Sequence, residues 1–565
     1  MKNYQDGGEA IVEAFRNMGI DYIMSSPGSE WSPVWEAMSR QTVEKNAGPK
    51  FIDCWHETVA VDMALGYTAV TGKMQAVLIH AGVGLMHGSM AMLSASKAEM
   101  PMLVMSGEST TFGADPEIAL EPQWYGGVSE GGAHRFVAPI VKWSTQITSH
   151  ATLYNTITRA GEMAQRIPQG PVYLNCSLEA MLHEWKKPDE LRRVPPAPKT
   201  QPLAQDVQEI AALIKTAKNP VIVTETPGRD PAAFQALVEL AETLAIPVIG
   251  GRASVYTNFP KTSPMWLGFG NLSYVDDSDL IILVCAKTPW YPPNKRPGVG
   301  KIVSISENSL KAQLAYQVLH ADVYLEGDTA TALRALTQAA KPANGDAAKI
   351  EERRKRWTAE HEKLLASLKA AEEKALAVGT LDAVAVAAVA RSVLPKDVIV
   401  CDETITHMPI MRPHLDLDEP QSFFRVTGGA LGQGIGATMG VKLASGDRPV
   451  VLFVGDGSFL YNPVIQALGA SNTYNIPIII VVCNNAKYEA MRKGHVIYYE
   501  GGAAASTTHH YGVKIQGPEY HELGQHFGLF GAKASTPAEL KQAFTDALAS
   551  VKAGKTAILN VVMTK

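Results

Sequence analysis

Short apolar runs bounded by turn residues recur along the chain and alternate with segments of helical period. In the first third, residues 20–24, 75–79 and 100–105 read as buried strands, with helices over 57–71 and 89–98. A break at Pro188 and a proline-rich stretch at 194–199 follow. The pattern then repeats, with strands at 219–224, 246–249, 280–284 and 301–305 and a helix over 234–244. A charged segment at 347–375, rich in Ala, Glu, Lys and Arg, reads as an exposed connecting helix. Strands at 397–401, 449–454, 476–483 and 557–562 complete a third unit, with helical segments between them. Strands alternating with helices imply βαβ units. The predicted fold is α/β, with three doubly wound parallel-sheet domains over 1–187, 200–340 and 376–565. Sheets of this kind bind ligands outside the carboxyl ends of their strands, so residues that follow strands are the ones to inspect.

The 565 residues suffice for three or four domains of ~100–200 residues each. With 46% hydrophobic and 19% charged residues, the balance is that of a globular protein with large cores. A net charge of −5 and the lack of a basic block argue against nucleic-acid binding. The five cysteines, Cys54, Cys176, Cys285, Cys401 and Cys483, form no CxxC pair. They predict buried free thiols in a reducing compartment, without a zinc site or a disulfide framework. No apolar run approaches the ~20 residues of a membrane span, and the N-terminus lacks the apolar core of a signal peptide. A cytoplasmic protein with no membrane partner is therefore expected.

Gly455-Asp456-Gly457-Ser458 follows one apolar strand, and Asn484-Asn485 follows the next. Glycines let backbone amides approach a phosphate closely, and a helix predicted to begin near Asn462 adds a partial positive charge. Asp456 is a hard oxygen ligand of the kind Mg2+ prefers, and Asn485 reaches the same sheet edge with a neutral oxygen. A lone Gly-Asp-Gly is usually a tight turn; the paired asparagines after a second strand make it a metal and diphosphate motif.

With these residues the chain resembles the thiamine-diphosphate enzymes that include acetolactate synthase, pyruvate decarboxylase and benzoylformate decarboxylase. The resemblance implies Mg2+ held by Asp456, Asn485 and the backbone carbonyl of Lys487, where the family usually has Gly. It extends to Trp55-His56-Glu57 and the helix that ends Gly-Tyr-Thr-Ala-Val-Thr-Gly72. There it implies that Glu57 contacts N1′ of the cofactor's aminopyrimidine; alone, Glu57 reads as a helix N-terminal acid. In the glycine-rich run 427–436, Leu431 matches the apolar residue that holds the cofactor bent, although glycines there also suit close packing. Asp402-Glu403-Thr404 is similar to a segment that contacts the diphosphate, Thr404 foremost.

On the substrate side the resemblance is to benzoylformate decarboxylase. Ser29 in Ser26-Pro27-Gly28-Ser29-Glu30 matches a residue that holds a substrate carboxylate, and it equally suits a helix N-cap. His80, at a strand end, matches a histidine that shuttles protons. His87 is a weaker candidate, and Glu99 and Gln123 are possible pocket residues. The segment after the strand at 280–284, residues 286–294, lacks the arginine of the flavin-binding synthases, which puts FAD in doubt. Met491 stands where pyruvate decarboxylases carry a catalytic Glu.

The expected activity is carbon–carbon bond cleavage or formation next to a carbonyl, by a 2-oxo acid decarboxylase or carboligase. Its substrate is a small 2-oxo acid or aldehyde, and its partner is a second copy of the chain in a homodimer or homotetramer. A 2-hydroxyacyl-CoA or oxalyl-CoA type lyase and a non-catalytic cofactor-binding subunit are the alternatives. A plain dinucleotide-binding protein is disfavoured, because no GxGxxG follows the first strand.

Overall fold

The computed structural model describes residues 4–108, 132–191, 193–292, 295, 297–298, 300–341, 347–425, 429–507 and 509–564. Within them lie three six-stranded parallel sheets. The first is built from β1 (Tyr22–Ser26), β2 (Lys50–Asp53), β3 (Gln75–Ile79), β4 (Met102–Glu108), β5 (Trp143–Ile147) and β6 (Pro171–Ser177), in the order β2-β1-β3-β4-β6-β5. In the second, β7 (Pro220–Thr224), β8 (Val248–Gly250), β9 (Trp266–Phe269), β10 (Leu280–Val284), β11 (Lys301–Ser306) and β12 (Val323–Glu326) run β12-β11-β10-β7-β8-β9. The third contains β13 (Ile399–Glu403), β14 (Phe423–Arg425), β15 (Val450–Gly455), β16 (Ile479–Asn484), β17 (Phe530–Ala534) and β18 (Ala557–Val562), ordered β14-β13-β15-β16-β18-β17. Central strands such as β3, β7 and β10 are buried along their whole length, because helices cover both faces.

The first and third sheets follow one path through space. Chain direction across each sheet reverses between β1 and β3 and between β13 and β15, the switch points where doubly wound sheets open a crevice. The two domains meet where helix Glu57–Thr71 crosses helix Gly434–Ala444. A Cβ on Gly66 would overlap the Ala437 carbonyl, and one on Gly440 would overlap that of Met63, so glycine lets the two backbones touch. One apolar cluster runs through both domains, from Met24 and Val61 to Ile435 and Leu452. Arg412 ties the second domain to the third. Its guanidinium lies 4.3 Å from the Phe269 ring and 4.1 Å from the Phe423 ring, and donates to the carbonyls of Ser254 and Tyr256.

Some expectations change. The helix predicted over 89–98 spans Gly82–Lys97. The charged segment is the long helix Ala347–Ala377, and it is more than an exposed connector: Glu372 is buried and accepts from Arg391 and from His414 at 2.8 Å. All five cysteines are free, and four are buried; Cys285 is partly exposed. Among the described residues, no helix is long and apolar enough to cross a membrane.

Candidate active site

At the switch point of the first sheet, β1 delivers Ser29 and Glu30, β3 delivers His80, and helix Glu57–Thr71 begins beside them. His56 is the N-cap of that helix: its Nδ1 accepts the Thr58 N–H at 3.1 Å, which leaves Glu57 as the first helical residue. Trp55 precedes it in the left-handed region, at φ 59°, packed where Gly469 leaves no room for a Cβ. Glu57 is 9% exposed. One of its oxygens, Oε2, lies 3.2 Å from His87 Nδ1, and the His87 ring stacks on His56 at 5.2 Å. His87, the weaker candidate in the sequence, is thus the imidazole that touches Glu57; nothing local announces a contact across 30 positions. Gly84 separates Glu57 from His80, since a Cβ there would lie 2.8 Å from both Glu57 Oε1 and His80 Cβ. Ser29 is exposed and opens a 3-10 turn whose N-cap is Gly28, so a capping role does not account for it.

The third domain assembles the other candidates. Strands β15 and β16 pair with Gly455 opposite Cys483, which brings Asp456 and Asn485 to one edge. The helix expected near Asn462 begins six positions earlier: Gly455 is the N-cap of helix Asp456–Tyr461, and Asn462 closes it. Asn462 turns inward because its side chain donates to Glu403 Oε2 at 2.8 Å and to the Ser458 carbonyl at 2.9 Å. Asp456 Oδ1 accepts the Gly457 N–H at 2.9 Å, whereas Oδ2 is buried without a hydrogen-bond partner. Burial pushes this carboxyl above the usual range, against the pull of the Gly457, Ala486 and Lys487 N–H groups. A buried, unpartnered carboxylate oxygen is costly unless a cation fills the gap. Asn485 Oδ1 accepts the Lys487 N–H at 3.1 Å, and Ala486 between them sits at φ 57°, a strained conformation for a residue with a Cβ. The Lys487 carbonyl accepts from Glu489 N at 3.0 Å and retains a second lone pair. Oxygens of this hardness suit Mg2+.

Other expectations are redistributed. The space left by Gly457 is taken by the Tyr488 ring rather than left open for a phosphate. Ser458 is buried within the helix, and Leu431 is partly buried on the loop before helix Gly434–Ala444. Thr404 is wholly buried and occupied: N and Oγ1 donate to Asp402 Oδ1 at 2.7 and 2.8 Å, and Oγ1 accepts from Met408 N. Its hydroxyl therefore braces the loop. Three residues on, His407 reaches Asn485, with Nε2 and Nδ2 3.4 Å apart, a candidate the sequence signalled only by its place after β13. Arg492 and Lys487 hold the Glu489 carboxyl down at about 2.

Glu99 lies elsewhere. Ion-paired with Lys311 at 2.9 Å, it lines a cavity of about 90 Å3 at the carboxyl edge of the second sheet, with Arg229, Cys285 and Glu307. At the same sheet edge, directly after β7, buried Glu225 accepts the N–H groups of Lys287 at 2.6 Å and Thr288 at 3.1 Å. Gln123, Thr427 and Gly428 lie outside the described residues.

Two switch-point crevices thus differ in content: one carries carboxylates and imidazoles, and the other a metal-type oxygen set. Three family models match the chain in order: the N-terminal TPP binding domain of thiamine pyrophosphate enzymes over 5–123, the central domain over 207–336 and the C-terminal TPP binding domain over 405–561. The chain is 25% identical to benzoylformate decarboxylase of Pseudomonas aeruginosa, covering 96% of each. It is 24% identical to the acetolactate synthase large subunit of Haemophilus influenzae, covering 96% of this chain and 92% of that one. The crystal structure of benzoylformate decarboxylase from Polynucleobacter necessarius superposes with a TM-score of 0.80 at 20% identity, over 99% of both chains. The chain belongs to the thiamine pyrophosphate enzymes, in the branch of decarboxylases and acetolactate synthases.

Proposed function

We propose that this chain is a Mg2+-dependent 2-oxo acid decarboxylase whose cofactor is thiamine pyrophosphate. The observation that carries the reading is the buried, unpartnered Oδ2 of Asp456 beside Asn485. Asp456, Asn485 and the Lys487 carbonyl would hold the Mg2+ ion, and Glu57 would meet the pyrimidine. When bound, the cofactor supplies a nucleophilic carbon and an electron sink for the pair released by carbon–carbon cleavage. Glu57 holds a proton at its carboxyl and is kept in place at Oε2 by His87. Ser29 orients the substrate carboxylate through its hydroxyl, and His80 moves a proton at the reacting carbon.

A histidine placed to give that proton favours decarboxylation over capture by a second carbonyl compound. The two halves of the site complete each other across a homodimer. Exposed Trp55, Val83 and Met86 beside Glu57, and exposed Leu460, Tyr461 and Ile465 beside Asp456, support a second copy covering both. Glu225 fills the second sheet's backbone N–H positions with a carboxylate, a poor fit to the diphosphate of FAD or coenzyme A. That speaks for a chain without flavin and against an acyl-CoA lyase.

The test is CO2 release by stripped protein resupplied with thiamine pyrophosphate and Mg2+, over a panel of aliphatic and aromatic 2-oxo acids with and without acceptor aldehydes. Release that needs both additions, with an aldehyde product, is expected. Tight cofactor binding with no turnover on any 2-oxo acid would overturn the reading.

A further inference from the structure

His80 has a partner that its position in the sequence does not suggest. Its Nδ1 lies 2.8 and 3.0 Å from the two oxygens of Glu30, and Glu30 Oε1 also accepts the Ala81 N–H at 2.8 Å. Glu30 is 1% exposed. His80 is its ion-pair partner, and no lysine or arginine among the described residues pairs with it. A carboxylate so buried costs several kcal/mol unless it is paired and hydrogen-bonded.

The slot that holds it is made by two glycines. A Cβ on Gly107 of β4 would overlap Glu30 Cγ, and a Cβ on Gly28 would overlap both Glu30 Oε2 and His80 Nδ1. Neither glycine has the positive φ that would call for glycine on backbone grounds. The space itself is what they provide, and it is filled by a carboxylate against an imidazole. Across Gly84, the pair adjoins Glu57 Oε1.

We infer that Glu30 is a positioning residue that keeps a proton on His80 Nδ1 and so commits Nε2 to proton exchange with the substrate. This rests on the decarboxylase reading above. The carboxylate accepts from Nδ1–H, fixes the ring, and favours the imidazolium as a buried anion does. The carbon left by departing CO2 takes the Nε2 proton, and the imidazole regains one from water. Among the described residues, the charged and titratable groups around the pair are Glu30 on its own turn, Glu57 with His87 and His56 across Gly84, and Glu108 after Gly107 at the end of β4.

The experiment compares wild type with Glu30→Gln, which keeps an acceptor for Nδ1–H and the Ala81 N–H but removes the charge. It adds His80→Gln and the double variant. For Glu30→Gln we expect kcat to fall about 10- to 100-fold with KM unchanged, and the basic limb of the kcat profile to move about one to two pH units toward acid. In the His80→Gln background, Glu30→Gln should cost nothing more. A wild-type kcat and profile in Glu30→Gln would overturn the inference, as would an equal loss with and without His80. The 15N NMR titration of the His80 ring, in histidine-labelled protein, is read alongside and needs no turnover. A midpoint that drops in Glu30→Gln supports the pair even if no 2-oxo acid is cleaved, in which case only the decarboxylase reading fails. An unchanged midpoint sinks the pair itself.

Discussion

The first and third domains trace the same path, β2-β1-β3-β4-β6-β5 and β14-β13-β15-β16-β18-β17, yet their switch points carry opposite chemistry. The first collects carboxyl and imidazole side chains: Glu30, Glu57, His80 and His87. The third collects oxygens and backbone N–H groups suited to an ion and a phosphate: Asp456, Asn485 and the turn at Ala486. One scaffold thus carries two kinds of side-chain set, and the loops after its strands decide which. The domains differ also in how they use glycine. In the first, Gly28, Gly84 and Gly107 make room for functional side chains; in the third, Gly457 makes room for the Tyr488 ring, and Gly436 and Gly440 for a helix of the first domain.

Damage to each side should read out differently. The largest effect is expected at Asp456. In Asp456→Asn the metal ligand is lost, and Mg2+-dependent cofactor affinity should fall at least about 100-fold by calorimetry, with activity lost in parallel. The unfolding midpoint should hold or rise slightly, because the buried carboxyl is no longer strained. Unchanged affinity would place the ion elsewhere and break the comparison. Next comes Glu57→Gln, for which kcat should drop about 10^2- to 10^4-fold while cofactor affinity stays within about 10-fold. Equal losses of affinity and rate would make Glu57 a binding residue like those of the third domain. Smaller again is Gly84→Ala. Its new Cβ, 2.8 Å from Glu57 Oε1 and His80 Cβ, should displace both groups and lower kcat about 10-fold, since small misplacements at a reacting centre are expensive. A wild-type rate would show that the two groups need not be held so closely.

How far the sequence foretold this contrast depended on what each feature requires. Central strands are apolar on both faces, so β3, β7, β10 and β15 stood out. Edge strands are half polar: β2, β5 and β17, with patterns such as Lys-Phe-Ile-Asp and Phe-Gly-Ala-Lys-Ala, carry no period strong enough to announce them. The third domain's oxygen set was legible because its members follow two strong strands that turn out to be neighbours. Asn462 was misread as a helix start because its inward bonds to Glu403 and Ser458 form only in the folded chain. Glu30 was passed over, and His87 was ranked below His80, for the same reason. A buried carboxylate is permitted by Gly107 and His80, which lie far along the chain, and His87 reaches Glu57 only when two helices pack.

The smallest effect probes the seam between the two domains. Asp62 of helix Glu57–Thr71 is fully buried, 2.9 Å from where a Cβ on Gly436 would lie, and Glu403 closes β13 across from it. Burial, reinforced by the Glu403 charge, raises Asp62 well above the usual carboxylate range, and burial raises Glu403 to about 7 despite N–H donors from Gln433, Gly432 and Asn462. The folded protein therefore holds protons that the unfolded chain releases. Their stabilisation is fully present below the unfolded carboxyl values and is lost as pH rises through about 7. The unfolding midpoint of metal-free protein should accordingly be higher at pH 5 than at pH 8. In Asp62→Asn the second buried charge is gone, so the slope should flatten and stability at pH 8 should rise by on the order of 1–2 kcal/mol. Asp6 and Asp402, each raised to about 6 by burial, titrate in the same direction and leave a residual slope. A variant with an undiminished slope would mean that the seam between the sister domains carries no shared charge cost, and that they meet through apolar packing and glycine contacts alone.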